Sequence, residues 1–325
     1  MHRLLSAKHL YLIGGCALSS EREPIAEIER IRVEKVGKGH VRIIAENYGQ
    51  LAVPRRAPTC FLAENREILV AGGCLGPNNH TNSMELLRIL ETSSSKIPQI
   101  TSEILAKNLE SGASCSAFDP YSSANFKPIF GGFEAHSCLD DVQIIDFSEN
   151  FQCRNLAAKK LPKIKNAQVL EVKNAEFLIF GGWEDETRTS GAIRRIIFNA
   201  DFTDFEVHFE GFLPYPVEGH SLIKNGSQIY LIGGFDGCFV IDTIIKYDME
   251  TRKSEILPCK LSEKRENHVS AVLSNTFLVV AAGWNSRNAM DSVEVYEFEK
   301  DGNLARCQVD GKLNTARNRP AGVGV

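Results

Sequence analysis

Histidine, cysteine and paired basic side chains are the residues of this 325-residue chain that could do chemistry. The eight histidines, at 2, 9, 40, 80, 136, 208, 220 and 268, recur at no ligand spacing such as HxH or HExxH, so neither a metal site nor a metal-activated water follows from them. His220 and His268 stand alike, in EGHSL and ENHVS, each opening an apolar stretch, a position that suits packing or hydrogen bonding better than catalysis. Nine cysteines, at 16, 60, 74, 115, 138, 153, 238, 259 and 307, form no CxxC pair, and their odd number and scatter indicate reduced thiols. They read as small hydrophobes, except that loop positions would expose Cys16, Cys74, Cys138 and Cys238 and make them reactive. No phosphate-cradling GxGxxG or GxxxxGKS/T loop occurs. There remain basic residues in pairs: Arg55 with Arg56, Lys163 with Lys165, Lys264 with Arg265, and Arg317 with Arg319. Converging arginines hold a carboxylate or a phosphate through bidentate, charge-assisted hydrogen bonds.

The elements that must position these residues repeat. Six apolar runs end in a glycine pair or a near copy of one: YLIGG, ILVAGG, PIFGG, FLIFGG, IYLIGG and LVVAAG. The pairs are Gly14 with Gly15, Gly72 with Gly73, Gly131 with Gly132, Gly181 with Gly182, Gly233 with Gly234, and Ala282 with Gly283. Their first members lie 58, 59, 50, 52 and 49 residues apart, the period of a β-propeller blade. A buried inner strand that must end abruptly at a rim needs backbone angles that only glycine adopts freely. The second glycine, present in all six copies, should therefore tolerate a side chain less than the first.

Each repeat continues with a polar loop, a third strand such as DTIIKYDM or DSVEVYEFE, a turn, a short outer strand and a linker, which makes four strands per repeat and no helix. The residues after Ala282 and before Gly14 together span one further interval of 57. The two ends are thus expected to share a blade, with Ala321 to Val325 pairing beside Leu10 to Ile13. This predicts an all-β, six-bladed propeller of four-stranded antiparallel blades, one domain over residues 1–325, closed by the C-terminal strand joining the N-terminal blade.

The glycine pairs and the segment IYLIGGFDGCFVIDTIIKYDMETRKSEIL resemble the kelch repeat family over essentially the whole chain. Kelch repeats usually carry a Tyr in the third strand and a Trp seven residues later. Tyr247 and Tyr296 fit the first position, Ser254 and Asn303 depart from the second, and Phe198 with Phe205 keeps two aromatics at that spacing. The resemblance implies that inter-blade linkers and post-glycine loops emerge on one face around the axis. On that face Arg55, Arg56, Lys163, Lys165, Arg265, Arg317 and Arg319 read either as solvated loop charge or as a rim that captures an acidic peptide segment. Phe133, Trp183, Phe235 and Trp284, just after the glycines, read as binding anchors or as plugs between blades.

Composition agrees with a globular chain. With 43% hydrophobic residues and a net charge of -4, a core is affordable and no global basic field for nucleic acid exists. No run approaches the roughly 18 apolar residues of a membrane span, and the first apolar cluster belongs to the repeat and not to a signal peptide. The resemblance implies a non-enzymatic protein-interaction module of the cytoplasm or nucleus, with no cofactor, metal or catalytic residue. Its partners would be a protein's acidic segment, ubiquitin ligase components or actin. It would serve as the substrate-recognition propeller of a cullin-type ubiquitin ligase or as a scaffold. Such adaptors normally carry BTB and BACK domains, which this chain lacks, so it reads as a propeller piece of a longer product or as a stand-alone kelch protein. The alternative is a propeller enzyme of the sialic-acid mutarotase or galactose-oxidase-like kind, which would need acids, His or Tyr clustered on the axis.

Overall fold

Both faces of each glycine-ended apolar run are buried, which explains why these strands read as unbroken hydrophobic stretches. Alternate side chains of a strand point to opposite faces. Phe177 and Ile179 accordingly pack toward the preceding sheet, and Leu178 and Phe180 toward the following one. The computed structural model describes residues 7–17, 23–90, 100–112, 114–156, 161–185 and 187–325. Among these the chain is all-β apart from a 3-10 turn at Glu64–Arg66.

Six sheets of longer strands follow in chain order, besides two small ones built from strands of two or three residues. The fifth shows the plan: Ser221–Asn225 innermost, then Gln228–Ile232, Ile244–Asp248 and Lys253–Ile256, all antiparallel. The second (from Thr59–Leu62), fourth (from Gln168–Lys173) and sixth (from Val269–Leu273) have the same four-stranded order. Tyr247 stands opposite Ser254 in this register, and Phe198 opposite Phe205, so the two aromatics of the fourth sheet pack as a cross-strand pair with ring centroids 5.4 Å apart.

Successive sheets are joined by one apolar cluster each. Tyr11, Ile13 and Ile28 meet Cys60, Ile68 and Val70 between the first and second. The last cluster sets Val279, Ala281 and Val295 of the sixth sheet against Leu10, Leu12 and Ile31 of the first, so the order of contacts returns to its start.

Two sheets depart from four strands. The first has five: Ala321–Gly324 pairs antiparallel with Leu10–Ile13, as the interval arithmetic predicts, and Gln308–Asp310 adds a parallel edge strand outside His40–Gln50. The third has three, Phe126–Glu134, Ser137–Asp146 and Gln152–Leu156. Its inner strand is reduced to bridges at Ser114 and Ala117 because the chain then turns away to tie three other sheets together. Pro120 O accepts from Leu62 N (2.9 Å), the Tyr121 hydroxyl accepts from Gly324 N (2.7 Å), and Asp119 Oδ2 accepts from Glu171 N (2.7 Å). The four-strand plan is thus corrected in these two sheets.

The glycine ordering gains a geometric basis. Gly233 has φ +57° and Gly234 φ +108°. A side chain can enter the left-handed helical region of the first but not the region of the second, and Ala282 does occupy the first position, at φ +66°. A Cβ on Gly233 would stand 2.6 Å from Arg265 O, and one on Gly234 2.7 Å from Glu218 O, so both substitutions displace backbone. Gly234→Val is expected to lose about 3 kcal/mol or more in urea unfolding, and Gly233→Val roughly 1 kcal/mol less. Equal losses would refute the ordering.

Candidate ligand mouth at the inter-sheet linkers

Each linker between sheets bridges to the residue that follows a glycine pair. Asn318 pairs with Cys16, Arg56 with Cys74, Ser114 with Phe133, Lys165 with Trp183, Glu218 with Phe235, and Glu266 with Trp284. The next residue of every linker enters a closed ring of backbone hydrogen bonds. Ala57 N donates to Arg319 O (2.8 Å), Cys115 N to Ala57 O (3.2 Å), Asn166 N to Cys115 O (2.8 Å), Gly219 N to Asn166 O (2.9 Å), Asn267 N to Gly219 O (2.6 Å), and Arg319 N to Asn267 O (3.1 Å). All six residues have φ between +49° and +60°. For Ala57, Cys115 and Arg319 that conformation costs free energy, and the cyclic set of bonds holds it.

Three of the expected rim cations are not at the rim, which corrects the reading of Arg55, Arg265 and Arg317 as partner-binding residues. Each lies two residues before a ring residue and is fully buried. Arg55 Nη1 donates to Gly72 O and Ser83 O (both 2.9 Å), and Nη2 pairs with Glu85. Arg265 repeats this with Ala282 O (3.0 Å) and Glu294 (2.8 Å), and Arg317 with Gly14 O (3.1 Å) and Glu29 (3.0 Å). The guanidinium ties the first residue of the glycine pair to the third strand of the same sheet, and burial pulls the pKa of Arg55 and Arg317 down against the nearby carboxylates. Where the linker carries Ile164 or Val217 instead, the register opposite is Arg194, ion-paired to Glu184 (2.5 Å), or the apolar Ile245. Among the described residues the motif comes as an Arg–Glu unit or not at all.

Arg56, Lys165 and Arg319 do converge, on a cavity of about 340 Å3 that also takes in His80, Cys115 and Phe133. Arg319 Nη1 donates to Asn166 Oδ1 (3.1 Å) and Cys115 Sγ (3.0 Å). Asn166 Nδ2 in turn donates to Glu218 Oε2 (2.7 Å), whose other oxygen accepts from Thr189 (3.1 Å). Lys165 Nζ lies 4.3 Å above the Phe133 ring, which His80 meets edge-on, and Arg56 Nη2 reaches Cys74 Sγ (3.5 Å). Lys163 is exposed beside Ser137 (3.2 Å), outside this cavity. Trp183, Phe235 and Trp284 are half-buried in the rim through their bridges. Of the four loop cysteines only Cys238 is exposed; Cys16, Cys74 and Cys138 are buried, which corrects their reading as reactive thiols. Asn166, Cys115 and Glu218 were not singled out from the sequence; Asn166 directly follows the Lys163 and Lys165 pair, whereas the linkers of Cys115 and Glu218 carry no basic pair to mark them.

A second cavity of about 80 Å3 shares Ala57, Cys115, Asn166 and Arg319 and is walled by the residues after the ring, including Ser116, Gln168, His220 and His268. Its described lining contains no carboxylate. Burial pushes the His220 pKa down to about 3 and the His268 pKa well below the imidazole range, the charge of Arg265 adding to the second effect. A depressed folded-state pKa means that the unfolded chain binds protons the folded one refuses, so stability is present above pH 6.5 and falls as the pH drops below it. At pH 5 the loss is expected to be about 2 kcal/mol for His220, and His268 adds to it in the same direction. Asp119, pushed up to about 6 by burial, opposes this between pH 6 and 4. The check is therefore the difference in urea stability between pH 7 and 5 for the wild type and for His220→Phe, which should be smaller by about 2 kcal/mol in the variant; an unchanged difference would rule it out.

The family model described as the KLHDC2/KLHL20/DRC7 Kelch-repeats domain matches residues 58–283. No curated protein sequence matches the chain. Among solved structures, the one titled "Structure of YjhT" superposes with a TM-score of 0.66 at 12% identity, over 93% of this chain and 98% of that one, a likeness of fold. Among the described residues no helix is long and apolar enough to cross a membrane.

Proposed function

This chain belongs to the kelch-repeat family, and from that premise we propose that residues 1–325 form a single six-bladed propeller, closed by the C-terminal strand, that works as a non-enzymatic protein-interaction module. Its ligand is an acidic segment of a partner protein, held at the mouth by Arg56, Lys165 and Arg319. The observation that carries this is the convergence of three cations from three different linkers on one open cavity. Arg56 and Lys165 have no carboxylate partner there among the described residues. A substrate-recognition subunit of a cullin-type ligase or an actin-linked scaffold in the cytoplasm or nucleus is the cellular form this takes.

Arg56→Glu with Lys165→Glu is expected to weaken capture of an acidic partner about 100-fold, since each desolvated charge-assisted contact contributes about 1.5 kcal/mol or more. The same reversal at Lys107 and Lys253, on outer strands, should change it less than about threefold. Circular dichroism should be unaltered in both, and added salt should weaken the wild-type complex. Retrieval of the same partners at the same strength by the mouth variant would remove this face from consideration.

A further inference from the structure

The outer cavity has more positive charge than a carboxylate can use. We propose that it takes a phosphomonoester dianion, a phosphorylated side chain of the partner, in preference to an aspartate or glutamate; this rests on the acidic-segment reading above and names its chemistry.

Three features of the site lead there. The cations approach from linkers spread around the ring: Arg56 between the first and second sheets, Lys165 between the third and fourth, and Arg319 between the sixth and first. A carboxylate is planar, with one charge on two oxygens, whereas a phosphomonoester near neutral pH presents about two charges on three acceptor oxygens that diverge like a tripod. Three donors arriving from three directions match the second geometry.

The arginine at the centre is pre-positioned. Arg319 is fixed by the backbone ring and by Asn166 and Cys115 through Nη1 alone, which leaves Nε and Nη2 without a protein acceptor among the described residues. A guanidinium with a free edge is suited to two phosphate oxygens at once. Two acids act on it through space, Glu266 more strongly than Glu218, and neither hydrogen-bonds its guanidinium; Glu218 is already satisfied by Asn166 and Thr189.

The walls have room for what carries the phosphate. The cavity of about 340 Å3 exceeds the size of the phosphate group, and Phe133, His80 and Pro77 give it an apolar, partly aromatic side. An aryl phosphate fills both parts, the ring against Phe133 and the oxygens on the cations.

The test uses the full chain and three probes, phenyl phosphate, benzoate and inorganic phosphate, followed by 1H–15N NMR at the Asn166 side-chain amide and the Cys115 backbone amide. Phenyl phosphate is expected to bind at least about tenfold tighter than benzoate, and Arg56→Gln with Lys165→Gln to remove that advantage while leaving the unshifted spectrum folded. Equal affinities for phenyl phosphate and benzoate would overturn the phosphate preference and leave the acidic-segment reading in place. Inorganic phosphate binding as tightly as phenyl phosphate would assign the site to a free anion and overturn the side-chain source. Absence of a saturable shift with every probe would overturn this inference together with the anion-binding role of the mouth.

Discussion

Removing Arg319 to Val325 is expected to abolish cooperative folding. Those residues supply the innermost strand of the first sheet, paired along its length with Leu10–Ile13, and, through Arg319, two of the six hydrogen bonds of the backbone ring. Ala321 and Val323 are buried in the cluster shared with the second sheet, and Gly322 packs tightly against Val269 of the sixth. Burial of the two apolar side chains contributes about 3 kcal/mol. Each backbone group of Leu10–Ile13 left buried without a partner costs about 1–3 kcal/mol more. The sum reaches the whole stability of an ordinary domain, about 5–15 kcal/mol. The truncated chain should show no sharp thermal transition and should aggregate through the exposed edge. A milder variant, Val323→Ser, keeps the ladder and should still melt cooperatively, at a lower temperature. An unchanged melting curve for the truncated protein would disprove closure by this strand.

The second large effect concerns a buried ion pair. Arg265 is fully buried against Glu294, and its removal leaves the carboxylate with Ser262 N (2.7 Å) and the Tyr296 hydroxyl (2.6 Å) but no counter-charge. Arg265→Val alone, or Glu294→Ile alone, is expected to cost about 3–5 kcal/mol, the penalty of an uncompensated buried charge. The double variant reproduces the apolar pairing that Val217 and Ile245 make in the fifth sheet and should recover at least half of the summed loss. Urea unfolding of the four proteins gives the coupling directly. Strictly additive losses would show that Arg265 acts through its bonds to Ala282 O and Ser292 O and not through Glu294.

The strand plan was legible because it is local. A glycine pair after an unbroken apolar run reports a strand covered on both faces, whatever lies beyond it, and the interval arithmetic placed Ala321–Gly324 beside Leu10–Ile13. The third sheet escaped this reading: Ser114 to Phe118 has the position of an inner strand, but Tyr121 finds its partner at Gly324, 203 residues away, and draws the chain out of the sheet.

Charge was less legible than strand order. Arg55 and Arg56 are adjacent and chemically alike, yet one is fully buried against Glu85 and the other opens on the mouth. A clue existed, since Arg and Glu recur 30 residues apart at Arg55 and Glu85 and 29 apart at Arg265 and Glu294. In the first sheet the same unit joins Arg317 to Glu29 across 288 residues, through the chain ends, where no local pattern records it. The sequence by itself determined the repeat, the all-β class, the glycines and the end-to-end pairing, all set by backbone conformation and the burial of neighbouring residues. Only the tertiary structure decided which basic residues are part of the framework and which face a ligand, because the burial of a charged side chain depends on where its counter-charge lies in space, and neighbours in the chain do not specify that.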